Sequence, residues 1–63
     1  MEPKDIISDL SEAGYTQDQI AERVAVGQAA ISKLATGQRK EMRSGNWMRL
    51  LAMHKEVCGK EAA

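Results

Sequence analysis

The chain has 63 residues, nine acidic and nine basic side chains, 43% hydrophobic residues, no Phe, one Trp, one Tyr and one Cys. That length supports one small core and no second one, and the aliphatic-rich, aromatic-poor mixture suits short helices better than a sheet. A single cysteine excludes an internal disulfide, no apolar run approaches the roughly 18 residues of a membrane span, and MEPKDIISDL lacks a secretory pattern, so a reducing cytoplasm is the expected compartment.

The spacing predicts a first helix in which Pro3 occupies the first turn, Ile6, Ile7, Leu10 and Ala13 recur at helical spacing, and Gly14 ends the element. Thr16 is the expected N-cap of a second, short helix. Asp18 lies in its first turn, and Ile20, Ala21 and Val24 form its inward stripe. Ala25-Val26-Gly27 interrupts the pattern before Ile31 and Leu34 resume it, which predicts a tight turn and a third helix from about Gln28 to Thr36, closed by Gly37. With Ile31 and Leu34 inward, Gln28, Ala29, Ser32, Lys33 and Thr36 share the opposite side.

Residues Gln38 to Asn46 are basic and contain a glycine, which predicts a loop with a short helical turn around Lys40 to Arg43. A last helix is expected from about Asn46 to Val57. Its apolar residues Trp47, Met48, Leu50, Leu51, Ala52, Met53, Val57 and Cys58 cover too wide an arc for one packed stripe, which predicts a homodimer contact through Trp47, Met48, Leu51 and Met53. Residues 1–58 thus read as one all-α domain, a compact bundle of four to five short helices, with residues 59–63 a frayed tail.

Although the formal net charge is zero, the signs are segregated. Glu2, Asp5, Asp9, Glu12, Asp18 and Glu22 outweigh Lys4 up to position 22, whereas Arg23, Lys33, Arg39, Lys40, Arg43 and Arg49 outweigh Glu41 up to position 49. One surface suited to a polyanion, and another kept away from it, is the simplest arrangement that uses such a division.

The segment TQDQIAERVAVGQAAISKLATG resembles the helix-turn-helix of the Cro and repressor-type family common in bacteriophages and prophages. Gln17 stands where that family opens its first motif helix, Ala21 where two helices approach, and Val26, Ile31 and Leu34 at the packing positions after the turn. TGQRK and LLAMH also look like the downstream part of short prophage regulators. The chain departs from the family at Ala25, where Gly is usual and a left-handed residue costs on the order of 1 kcal/mol, and at Gly27, a weaker cap than Ser or Thr.

What the resemblance implies is a lambda-repressor-like fold and a sequence-specific regulator of transcription, a Cro-like repressor acting as a homodimer on a pseudo-palindromic operator. Its recognition helix would place Gln28, Ala29, Ser32 and Lys33 against base edges: a carboxamide pairs with adenine, a lysine with guanine, and a methyl with thymine. Gln17 would contact a phosphate and brace Gln28. Thr36, Arg39, Lys40 and Arg43 would supply sequence-independent phosphate contacts, whereas Arg49 reads as solvated surface.

Other classes have less in their favour. His54 and Cys58 are spaced to meet one ion but are only two ligands, so no metal or cofactor is expected. No nucleophile–base spacing, phosphate-cradling glycine loop or room for a pocket suggests an enzyme or a small-molecule ligand. The alternative is a protein-binding helical module, an antitoxin or adaptor, built on the same fold.

Overall fold

A computed structural model describes residues 2–59; the expected frayed tail falls, beyond Gly59, outside the described residues. Four helices follow one another: α1 (Pro3–Glu12), α2 (Gln17–Val24), α3 (Gln28–Thr36) and α4 (Ser44–Cys58), with no strand among the described residues. Each boundary has a local cause. Pro3 presets the backbone of the first turn of α1, and the Glu2 amide donates to Asp5 Oδ2 at 3.1 Å. At the other end Gly14 turns left-handed (φ 103°), which lets the Tyr15 amide reach the Leu10 carbonyl at 3.1 Å and brings Tyr15 against the core.

Thr16 then caps α2 reciprocally with Gln19. The Gln19 amide donates to Thr16 Oγ1 at 3.2 Å and the Thr16 amide to Gln19 Oε1 at 2.9 Å, so two amides that the helix leaves unpaired are satisfied. α2 stops at Ala25, the only non-glycine with positive φ among the described residues (φ 64°, ψ 41°), and the Val26 amide bonds the Ala21 carbonyl at 3.0 Å. The unfavourable backbone expected at Ala25 is therefore adopted. Gly27 caps α3 through its carbonyl alone, and Gly37 (φ 84°) ends it.

Ten side chains form the core, and every helix contributes: Ile6, Ile7 and Leu10; Ile20, Ala21 and Val24; Ile31 and Leu34; Leu50 and Met53. Among the described residues no buried side-chain nitrogen or oxygen lacks a partner. No helix among them is long and apolar enough to cross a membrane.

Three expectations are corrected. The helical turn at Lys40 to Arg43 is absent: the Arg39 amide is held by the Lys33 carbonyl at 3.1 Å and Met42 packs against the core, so the segment between them runs without helical structure. α4 begins two residues earlier than Asn46, because Ser44 and Gly45 form its first turn and the Arg43 carbonyl accepts from the Trp47 amide at 2.8 Å. Met53, expected at a dimer surface, is 2% exposed and belongs to the core; Trp47 is half-buried against that core. Met48 (67% exposed) and Leu51 (36%) remain on the surface.

The left-handed alanine gives the fold a direct test. Ala25→Gly removes the Cβ strain and is expected to stabilise the protein by about 0.5–1 kcal/mol, seen as a melting temperature raised by a few degrees. A lower melting temperature would show that Ala25 is not strained.

Candidate nucleic-acid interface

α3 presents a narrow inward stripe and a wide outward one. Burial of Ile31 and Leu34 fixes its rotation, which leaves Gln28, Ala29, Lys33 and Thr36 exposed and Ser32 half-buried at their edge. The five side chains expected on one face do share it. At its middle Ala29 is short, so nothing there holds a partner surface away from the helix backbone.

Beyond α3 the chain is tied back to it. The Lys33 carbonyl accepts two hydrogen bonds, from the Arg39 amide at 3.1 Å and from the Thr36 hydroxyl at 3.2 Å, and the Gly37 amide reaches the Leu34 carbonyl at 3.3 Å. Arg39, Lys40 and Arg43 thus start from a fixed point beside Lys33. All three are exposed, and none of them, nor Lys33, has a carboxylate partner within ion-pair distance among the described residues. They edge an open groove of ≈ 630 Å³ whose apolar floor is Val26, Ala30, Leu34 and Met42. Its basic rim is interrupted by Glu41.

Other assignments are sharpened by their hydrogen bonds. The Thr36 hydroxyl proton is committed to Lys33, so a phosphate contact from Thr36 requires that bond to break. Gln17, half-buried, forms no hydrogen bond with Gln28 among the described residues; it lines a cleft with Lys4, Ser8 and Ser11 of α1. Arg49 donates to Asn46 Oδ1 at 3.4 Å on α4.

Folding commits one of the counted bases to a partner within the protein. Arg23, counted with the bases, donates to Glu56 Oε2 at 2.8 Å and ties α2 to α4, so it is spent within the protein. A second ion-pairing geometry joins His54 Nε2 to Asp9 Oδ2 at 2.9 Å between α4 and α1. Residues 33 and 45 positions apart carry no local signal for either pair. His54 is therefore placed by Asp9, and among the described residues no group of three or more His, Cys, Asp or Glu side chains is arranged to hold a metal ion.

Comparison with known protein families, characterised proteins and solved structures finds no match to the chain.

Gly37 connects the exposed helix to its basic extension, and its role can be isolated. A Cβ placed there meets only Lys4 Cδ, at 3.9 Å, so Gly37→Ala introduces left-handed strain without a clash. A loss of about 1 kcal/mol in urea denaturation is expected. Unchanged stability would mean that the end of α3 readily takes another conformation.

Proposed function

We propose that the protein is a sequence-specific double-stranded DNA-binding regulator in which α2, the Ala25-Val26-Gly27 turn and α3 form a helix-turn-helix. The observation that carries this reading is the exposed polar face of α3, small at its centre, continued by three bases with no carboxylate partner among the described residues. A helix about 10–12 Å across fits the major groove of B-DNA, about 12 Å wide.

Direct readout falls to Gln28 and Lys33. The Gln28 carboxamide can accept from adenine N6 and donate to N7, and the Lys33 ammonium can donate to guanine O6 and N7. Ala29 admits close approach and offers its methyl to thymine, while Ser32 serves a base or a phosphate at the edge. Arg39, Lys40 and Arg43 neutralise phosphates, which releases counterions whatever the sequence, and Gln17 adds an uncharged phosphate donor. Occupying a site that polymerase needs is the simplest regulatory consequence, and makes the protein a Cro-like repressor.

Met48 and Leu51 leave an exposed apolar patch on α4 for a second copy, now without Met53. In a symmetric dimer the two α3 helices would lie about 34 Å apart and the site would be an inverted repeat.

Fluorescence anisotropy with random-sequence duplex tests the electrostatic part. Three phosphate-contacting cations per protomer predict at least about a 40-fold loss of affinity between about 50 and about 200 mM salt. Absence of duplex binding at low salt would overturn the proposal and favour the protein-binding module instead.

With a duplex enriched by selection, Gln28→Ala should cost about 1–3 kcal/mol and relax preference at one base pair, whereas Arg39→Ala should weaken selected and random duplexes alike. An equal loss on both duplexes for Gln28→Ala would show that this side chain reads no base.

A further inference from the structure

α1 opens the acidic half of the chain, and Lys4 is the one base there. Folding divides its polar residues into two stripes. Asp5, Asp9 and Glu12 recur at helical spacing, and Asp9 meets His54 of α4 at 2.9 Å. Lys4, Ser8 and Ser11 recur at the same spacing about 100° round the helix. Together with Gln17, Ala35 of α3, Ile7 and Glu12 they line a cleft of ≈ 230 Å³, in which Glu12 is the one carboxylate.

The position of this cleft relative to α3 decides its meaning. Ala35 and Ala30 flank the buried Ile31 and Leu34 on opposite sides, about 140° apart by helical geometry. Ala35 adjoins the Lys4 cleft, whereas Ala30 adjoins the groove edged by Arg39, Lys40 and Arg43. The outward face of α3 therefore lies between two sets of hydrogen-bond donors. Lys4 itself sits at the far end of α3, its Cδ 3.9 Å from an ideal Cβ on Gly37. Its contact with Glu2 is 3.9 Å long, between side chains each about half exposed (49% and 50%), and solvent screening leaves such a pair readily exchanged for another anion.

We infer that Lys4, Ser8 and Ser11, with Gln17, form a second phosphodiester-binding cluster that grips the DNA strand opposite the one held by Arg39, Lys40 and Arg43. This rests on the proposal that α3 enters the major groove. A helix in that groove has a phosphate backbone on either side, and a protein with cations on one side alone would be held from one strand only. Lys4 supplies the charge, and the two hydroxyls and the Gln17 carboxamide supply neutral donors. Keeping Asp5 and Asp9 on the other stripe removes two like-charged carboxylates from the path of the backbone.

Random-sequence duplex and the whole chain suffice for the test, with anisotropy titrations over a range of salt. Lys4→Ala is expected to reduce the slope of log affinity against log salt by about 1, as loss of one phosphate contact requires. Lys55→Ala, which removes an equal charge on α4, should leave that slope unchanged. Ser8→Asp, which sets a carboxylate in the contact, should weaken every duplex about 10-fold. Both altered α1 positions are exposed, and circular dichroism melting close to that of the original chain verifies that each variant is folded.

If the original chain binds duplex but Lys4→Ala changes the slope no more than Lys55→Ala, or Ser8→Asp binds normally, the second cluster is overturned while the α3 reading stands. If the original chain binds no duplex, both fall.

Discussion

Two side chains decide what α3 can do. Ile31 and Leu34 are its only fully buried residues, and their burial sets the rotation that turns Gln28, Ala29, Lys33 and Thr36 outward. Burying an aliphatic side chain of that size contributes about 1.5–3 kcal/mol. The ends of α3 add less: Gly27 offers no side-chain cap, and Gly37 is needed for its left-handed backbone. A helix held by so few contacts keeps its outer surface open to substitution, since the hydrophobic residues that fix it are not those that would meet DNA.

Its neighbours determine how well that surface is presented. Ala25 accepts a backbone that alanine disfavours so that α2 and α3 can meet around Ala21, Val24 and Ile31, and the Lys33 carbonyl returns the chain after Gly37 to the helix it has just left. Arg39, Lys40 and Arg43 therefore follow α3 from a defined point. Charges of the acidic and basic stretches also meet across the bundle: Arg23 is paired with Glu56, Asp9 faces His54, and Glu12 lines both clefts beside α1.

What the sequence discloses and what it conceals divide along the distance between the residues concerned. Thr16, Gly14, Gly37 and the pair Ile31 and Leu34 act within a turn of their own position, so spacing alone identifies their roles. The Thr16–Gln19 box is equally local and legible as Thr-x-x-Gln. The pairs Arg23–Glu56 and Asp9–His54, and the placement of Lys4 beside Gly37, depend on how helices come together. On α4 the hydrophobic arc is so broad that Met48 and Met53 look equivalent in sequence, although one is 67% exposed and the other 2%. The segment at Lys40 to Arg43 has helix-forming residues, but Arg39 and Met42 are anchored to other parts of the molecule and the segment is not helical.

The central claim is that the outward face of α3 is the surface that meets DNA. Backbone amide chemical shifts of isotopically labelled protein, followed as a short duplex is added at low salt, test it most directly. The account predicts that the largest changes fall on residues 28–36 and 38–43, with smaller ones at Lys4, Ser8, Ser11 and Gln17. Changes centred on Met48 and Leu51 of α4, or on Asp5, Asp9 and Glu12, with α3 unaffected, would contradict it.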